Sequence, residues 1–354
     1  MKLRMLIVIV IITLIAGDGF SATVAQWLGY QADANNPAAG KQSGTGTWKE
    51  SLWREGIKIP QPGPTITSKD EIKIVRAKSV CTLDSDAGSY ACRLSIAGGS
   101  EDTNAPTLEI VKGGVMGMGD VRVGAGGTSR QGGIGRINQT GGTLNLAGNL
   151  LVGCYGTSQN NPNYGKGFYT ISGGTIACLA ENAKATLYIA GGGGQGASDG
   201  TFTIVGNAAN ISFKQLYIGS DGSNTGCTGI LEYKIGSSGV SPIRVSNSVS
   251  IDPLGASSTA KLIVSATAEP PKGNILLIEN QGSTPVSGIF DTVNGNPATE
   301  GASVAVSSGG KNFNYTLTYK GGAGSNDVML ISSSAPAAAP APATPNTPPA
   351  PVAK

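Results

Sequence analysis

Residues 136–153, RINQTGGTLNLAGNLLVG, contain the pattern from which the fold of this chain is predicted. The stretch holds three short runs in which apolar and polar residues alternate, and glycine-rich corners separate the runs. Alternation with a period of two is the signal of a β-strand, whose successive side chains point to opposite faces. Glycine suits the corners because it adopts positive φ without a steric penalty. The stretch therefore predicts three short strands joined by tight turns.

The same pattern returns before and after this stretch, roughly every 30 residues. Its corners are Gly113-Gly114, Gly141-Gly142, Gly173-Gly174, and the degenerate Gly206-Asn207 and Gly236-Ser237. A repeat of this length is typical of solenoids and propellers, but a propeller blade needs about 40 residues and four strands. A shorter unit with three strands indicates one coil of a parallel β-helix.

Alternation also assigns side chains to faces. An apolar-x-apolar triplet ends five of the repeats, and we expect its outer two residues to point inward: Val121 and Val123, Leu150 and Val152, Leu187 and Ile189, Leu216 and Ile218, Val249 and Ile251. The run after each glycine corner should do the same with Met116 and Met118, Leu144 and Leu146, Ile176 and Cys178, Ile211 and Phe213, Ile243 and Val245. The middle residues of the triplets should form an outward column: Arg122, Leu151, Tyr188, Tyr217 and Ser250.

We therefore predict an all-β protein: a right-handed parallel β-helix of about five to seven coils with an antiparallel β C-terminal cap. The solenoid repeats span residues 66–265. Residues 266–331 break the repeat with apolar runs between Gly, Asn and Pro turns, which favours antiparallel strands that close the end of the solenoid. Residues 332–354 are rich in Pro and Ala and predict a disordered tail. The three tryptophans lie in residues 26–65, which should cap the N-terminal end.

Residues 1–25 have the organisation of a secretory signal peptide. Lys2 and Arg4 precede an apolar core at Met5–Ala16 that is too short to span a bilayer. We expect a secreted protein of the cell surface or extracellular space, or of the periplasm, with no transmembrane anchor in the mature chain. The alternative is an uncleaved membrane anchor.

Composition excludes several classes of function. The chain has no histidine among its 354 residues, which removes Ser-His-Asp and Cys-His catalytic groups and the common zinc sites. The net charge is +3 without a basic cluster, so nucleic acid is not an expected partner. We predict no enzyme, no catalytic residue, no metal and no cofactor. Residues 321–327, GGAGSND, resemble a calcium-binding β-roll repeat, but the Asp comes one position late and only one copy is present.

Cys81 and Cys92 flank the predicted turn Asp84–Ser89. In an exported chain this spacing predicts a disulfide across one coil. Cys154, Cys178 and Cys227 have no comparable relation in the sequence.

Two sets of aromatic residues are candidates for carbohydrate binding. Tyr188 and Tyr217 should stack on adjacent coils, where they either hold a sugar ring or only stabilise the sheet. Trp48 and Trp53 either line a sugar platform or form part of the N-terminal cap. Asp120, Asp199 and Asp221 are the acids that a polysaccharide lyase or hydrolase would use, but each is next to Gly or in a Gly-rich corner, where turn chemistry is the alternative.

The repeats INQTGGTLNLAGNLLVG and FYTISGGTIACL resemble those of bacterial surface proteins with autotransporter-associated β-strand repeats, which are abundant in planctomycete-like bacteria and often end in a PEP-CTERM sorting segment. The C-terminal order of motifs is similar too: Gly288-Ile289-Phe290, Glu300-Gly301, Tyr315–Tyr319 and Gly321–Leu330, with Ser325 as an extra residue. Trp48, Trp53, Gly56 and Pro60 resemble that family's N-terminal segment. The sorting helix is missing, and a Pro-rich tail stands in its place.

The resemblance implies a secreted β-helix of the cell surface or matrix and carries over no catalytic residue. The favoured function is a non-enzymatic structural or adhesive protein of the cell surface or extracellular matrix. The alternatives are a carbohydrate-binding protein that uses the outer tyrosine face and, less favoured, a polysaccharide lyase or hydrolase. Expected partners are polysaccharides or other envelope and matrix components, together with copies of the chain itself.

Overall fold

A computed structural model describes residues 23–27, 45–47, 71–74, 79–89, 92–98, 105–124, 133–154, 165–178, 185–191, 197–220 and 226–333. Within these ranges the regular elements are β-strands, apart from one 3₁₀ turn at Gly255–Ser257. The predicted all-β class and the β-helix architecture are confirmed, and the solenoid makes about six turns.

The strands in chain order are β1 (Thr23–Trp27), β2 (Thr45–Thr47), β3 (Glu71–Ile74), β4 (Val80–Leu83), β5 (Asp86–Ser89), β6 (Arg93–Ile96), β7 (Thr107–Ile110), β8 (Val115–Met118), β9 (Val121–Val123), β10 (Ile134–Gln139), β11 (Thr143–Leu146), β12 (Leu150–Val152), β13 (Gly165–Ile171), β14 (Gly174–Cys178), β15 (Thr186–Ile189), β16 (Ser198–Val205), β17 (Ala209–Ile218), β18 (Cys227–Ile235), β19 (Ile243–Ile251), β20 (Ser258–Ala266), β21 (Ile275–Asn280), β22 (Thr292–Val293), β23 (Asn296–Pro297), β24 (Ser303–Ser308), β25 (Lys311–Gly321) and β26 (Asp327–Ser332).

Each coil passes through three faces. Face 1 is a ten-stranded sheet that runs from β2 through β10 and β13 to β20 and ends at β22 and β23. Face 2 contains β5, β8, β11 and β14, and face 3 contains β3, β6, β9, β12 and β15. Faces 2 and 3 merge into one sheet because the long strands β17 and β19 each pass through both. Neighbouring coils pair in parallel, so each outer face carries ladders of side chains.

The predicted inward columns are confirmed. On face 3, Leu150 pairs with Val121 and Leu187, and on face 2 Leu144 pairs with Met116 and Ile176. The inward residues assigned from alternation are buried, except Cys178, which is half-buried but packs against the same core. Apolar burial in a continuous column is the main stabilising term of such an array, because one coil cannot cover its own apolar face.

The corner that follows face 3 repeats one backbone conformation. The residues there are Gly124, Gly153, Ala190, Gly219 and Asp252, with φ between 48° and 93°. Each donates its N–H to a carbonyl of the preceding coil, as Gly153 does to Val123 at 2.9 Å. The corner thus continues the inter-coil hydrogen bonding where the strand ends.

A column of glycines on face 1 packs directly against face 3 and this corner. Gly135, Gly167, Gly200 and Gly229 lie in register at inward positions. A Cβ atom on any of them would lie between 1.9 and 2.3 Å from a backbone atom of face 3 or its corner. Faces 1 and 3 therefore meet backbone to backbone, and only glycine fits at that contact.

Antiparallel strands close the C-terminal end, as predicted. β24, β25 and β26 form an antiparallel unit, and β26 continues onto β21. β21 is the junction, because its opposite edge pairs in parallel with β19. Phe290 is fully buried in the core cluster beneath the last coil.

At the other end, both sheets extend beyond the predicted start of the solenoid, into the predicted N-terminal cap and, through Thr23–Ala25 of β1, into the predicted signal peptide. β1 pairs in parallel with β3, and β2 pairs in parallel with β4. Trp27 is the last residue of β1. The ladder of coils therefore begins before residue 66.

Candidate functional site

The outward column on face 3 contains the predicted tyrosine pair. β15 and β17 pair in parallel and place Tyr188 opposite Tyr217. Their ring centroids are 5.3 Å apart and the ring planes differ by 12°, which is a stacked arrangement. The expected stack is therefore present. Because the two rings face each other, a ligand ring cannot enter between them.

The neighbours of the pair differ in size. On the N-terminal side, Leu151 lies in register with Tyr188 and is only 4% exposed. On the C-terminal side, Ser250 lies in register with Tyr217, and Ser287 follows through one parallel bridge to Ser250. We name Leu151, Tyr188, Tyr217, Ser250 and Ser287 the tyrosine column. Its large side chains end at Tyr217.

A row of polar side chains runs beside this column. The Thr186 hydroxyl donates to Gln215 Oε1 at 3.2 Å, and Gln215 Nε2 donates to the Ser248 hydroxyl at 3.4 Å. Asn149 Oδ1 accepts the backbone N–H of Thr186 at 3.2 Å. The surface next to the tyrosines is therefore polar without carrying charge.

The tryptophan candidates cannot be placed in the same way. Trp48 and Trp53 lie outside the described residues. Their assignment to a sugar platform or to a cap stays a prediction.

The acidic candidates have separate surroundings. Asp120 lies at the corner before β9, where its Oδ1 accepts the backbone N–H of Asn149 at 2.8 Å. Asp199 lies inside strand β16 on face 1, in register with Lys166, so the turn given as the alternative for Asp199-Gly200 is wrong. Asp221 lies outside the described residues. Asp120 and Asp199 lie on different faces, and the fold does not bring them together.

The predicted turn between Cys81 and Cys92 is also wrong. Asp86–Ser89 forms strand β5, which pairs with β8 on face 2. Cys81 lies in β4 of face 1, whereas Cys92 directly precedes β6 of face 3, so a whole face separates them in the chain. No disulfide joins the described cysteines, and the thiols of Cys81 and Cys92 are buried in the apolar core cluster.

A second aromatic site on face 1 was missed by the sequence reasoning. Phe168 points outward from β13, with the Arg136 guanidinium 4.6 Å and the Lys166 ammonium 5.2 Å from the ring centroid. Alternation in Gly165–Ile171 could have found it, because that run places Phe168 outside and Tyr169 in the core. The cations lie against the ring, so this cluster stabilises face 1 through cation–π contact.

The C-terminal motifs around Phe290, Glu300, Tyr319 and Asp327 have structural roles. Asp327 Oδ1 accepts the backbone N–H of Asn280, and Asn326 Nδ2 donates to the carbonyls of Asn280 and Gly282. Glu300 accepts from the Tyr319 backbone N–H and the Thr318 hydroxyl. The Tyr319 hydroxyl donates to the Ala298 carbonyl and accepts the Phe290 backbone N–H. These side chains dock the terminal strands onto the last coil.

The β-roll alternative for residues 321–327 can be compared with this geometry. Burial raises the pKa of Asp327 above its ordinary value. Its carboxylate is held against the Asn280 backbone rather than presented to an oxygen cage. In the described part of the chain, no three His, Cys, Asp or Glu side chains group as metal ligands would.

Among the same described residues, no helix is long and apolar enough to cross a membrane. Comparison of the chain with family models, with curated proteins and with solved structures finds no match.

Proposed function

We propose that this chain is a non-enzymatic structural or adhesive protein exported to the cell surface or extracellular matrix. The observation that carries the proposal is the solenoid of the described residues, in which strands of successive coils pair in parallel from β3 to β20. Such an array presents long outer faces at fixed spacing, and each coil stabilises its neighbours. The signal-like residues 1–25 and the resemblance of the repeats to bacterial surface proteins support the same reading.

Cell fractionation tests the proposed localisation, and an assay for polysaccharide cleavage tests whether the chain is an enzyme. In cells that naturally produce the chain, we expect it in the envelope or in shed matrix material. The purified full chain should release no new chain ends from a panel of acidic and neutral polysaccharides. Recovery of the chain in the cytoplasm would contradict the proposed localisation. Turnover that is lost in Asp199→Asn would replace the structural function with an enzymatic one.

The second candidate function is carbohydrate binding, and the stacked tyrosines favour it. Aromatic side chains combine a large apolar face with a polar hydroxyl, which suits contact with sugars at a wet surface. Retention of the full chain on an immobilised glycan, without cleavage, is the expected result. Retention that survives both Tyr188→Ala and Tyr217→Ala would place any binding elsewhere on the molecule.

A further inference from the structure

The tyrosine column changes abruptly at its C-terminal end. Neighbouring coils of a sheet are about 4.8 Å apart, so each coil has room for one stacked ring. Tyr188 and Tyr217 fill two successive coils. The next two positions hold Ser250, half-buried, and Ser287, exposed. At these two positions the column carries hydroxymethyl groups instead of rings.

Tyr217 lies between Tyr188 and Ser250 in the register of the column. Tyr188 covers one face of the Tyr217 ring at a centroid distance of 5.3 Å. The register places Ser250 on the opposite side. Ser287 is fixed one coil further, because its backbone bonds to Val249 and Ile251 at 3.0 and 2.8 Å. We name the space bounded by the Tyr217 ring, Ser250 and Ser287 the serine notch.

Hydroxyl and amide side chains lie beside the serine notch. Ser248 and Gln215 lie on the same outer face, in the polar row beside the column. The nearest acid along the strand is Asp252, whose carboxylate accepts a hydrogen bond from the Ser258 hydroxyl at 2.5 Å. The basic residue of the outward column, Arg122, lies three coils before Tyr217, and no basic side chain is found among Tyr217, Ser250, Ser287 and the polar row. Hydroxyl and amide groups around an aromatic face match the alternating apolar face and hydroxyl rim of a sugar ring.

We propose that the serine notch binds one pyranose residue of a neutral polysaccharide, stacked on the open face of Tyr217. The proposal rests on the carbohydrate-binding candidate function and names its subsite and ligand class. In this arrangement the sugar takes the place of the next ring in the column. Ser250, Ser287 and Gln215 then donate to or accept from its hydroxyls.

The test uses the full chain and four hexasaccharide probes in calorimetric titrations: a β-1,4-glucan, a β-1,4-mannan, a β-1,3-glucan and the anionic oligogalacturonate. We expect at least one neutral probe to bind, and oligogalacturonate to bind more weakly than it. Tyr217→Ala should weaken binding of that probe by at least about tenfold, because it removes the stacking face. Tyr188→Ala should weaken it less, since Tyr188 contacts only the far side of Tyr217.

Ser250→Phe tests the serine notch more directly, because it leaves Tyr217 in place. A phenyl ring there would extend the stack and fill the notch, so binding should be lost while the thermal midpoint stays the same or rises. Phe168→Ala is the matched control, because it removes an outward aromatic from face 1 and should leave binding unchanged. If Ser250→Phe fails to fold, Ser287→Phe blocks the outer half of the same notch from an exposed position.

Three results would overturn the proposal: no binding of any neutral probe, unchanged affinity in folded Ser250→Phe or Ser287→Phe, or equal losses in Tyr188→Ala and Tyr217→Ala. Preferential binding of oligogalacturonate would overturn the neutral ligand class. These results are independent of the fractionation test, so the structural or adhesive function can stand when the serine notch does not.

Discussion

Gly153 shows how single residues limit this fold. It turns the corner after face 3 with φ of 71°, and an added Cβ would lie 1.9 Å from the Asp199 carbonyl oxygen. Two penalties therefore coincide, a left-handed backbone and a clash with fixed backbone. The column Gly135, Gly167, Gly200 and Gly229 carries the second penalty alone, at ordinary φ.

We predict that Gly153→Ala lowers the free energy of unfolding by at least about 3 kcal/mol. The matched control is Gly206→Ala, which also has positive φ but where an added Cβ would meet no atom within 4 Å. It should cost about 1 kcal/mol, which is the penalty of the left-handed conformation for an alanine. Thermal unfolding followed by circular dichroism measures both. Equal losses would show that the backbone contact at the corner is unimportant.

Buried tyrosines make the fold sensitive to alkali. Burial raises the pKa of Tyr169, Tyr233, Tyr315 and Tyr319 above the ordinary value of 10.0. The Tyr169 hydroxyl donates to Gln139 Oε1 at 2.7 Å in the core, and the Tyr233 hydroxyl donates to the Leu277 carbonyl. A folded pKa above the unfolded one means that the folded chain keeps protons that the unfolded chain releases.

The contribution of these groups to stability is complete below about pH 10 and is lost as the pH rises beyond it. We predict that these four tyrosines form phenolate only together with the loss of β-sheet circular dichroism. A spectrophotometric titration of the ten tyrosines checks this. Reversible ionisation of all ten near pH 10 with the sheet intact would contradict it.

At the scale of elements, the terminal strands depend on a few side chains that reach far back along the chain. Asn326 donates to the carbonyls of Asn280 and Gly282, each at 2.9 Å. These bonds hold the turn before β26 against the end of β21. They extend the antiparallel pairing of β21 and β26 beyond its last backbone bond.

We predict that Asn326→Ala costs about 1–2 kcal/mol, because two carbonyls lose their donor at a partly buried site. Amide hydrogen exchange should speed up in β26 and in residues 280–284. Asn312→Ala is the control: its exposed side chain bonds only within the β24–β25 hairpin, to Ser307, and its loss should change stability by less than about 0.5 kcal/mol. No change in exchange near Asn280 would mean that the turn is held in another way.

The two aromatic clusters on the outer faces have different surroundings. Phe168 lies against Arg136 and Lys166 on face 1, so its environment is already filled by cations. Tyr217 lies at the end of a stack beside serines. This contrast is the reason that we place the ligand on face 3 and use face 1 as its control.

For the whole molecule, stability should be graded along the solenoid axis. Each coil contacts mainly its neighbours, so loss of an end exposes the next coil. Phe290 closes the C-terminal end of the core and packs against Tyr319 at a centroid distance of 6.3 Å. The segment around β22 covers the edge of the last coil, where Asp291 and Asn294 accept backbone N–H groups of β20.

We predict that Phe290→Ala costs about 3–5 kcal/mol and that the loss is local at first. In hydrogen exchange measured by mass spectrometry, β20 and β18 should lose protection before β10 and β11. Uniform loss of protection across all coils would show that the solenoid unfolds as one unit.

The repeat, the three strands of a coil, the inward columns and the stacking of Tyr188 on Tyr217 could all be predicted from the amino-acid sequence. These follow from local rules, since alternation fixes the face of a side chain and glycine fixes the corners. Three features became visible in the folded chain alone: Asp86–Ser89 is a strand, Cys81 and Cys92 belong to different faces, and Ser287 extends the tyrosine column. The side chains of Asn326 and Asp327 also contact the end of β21. Those relations join residues that are distant in the chain, and they exist only once the register between coils is set.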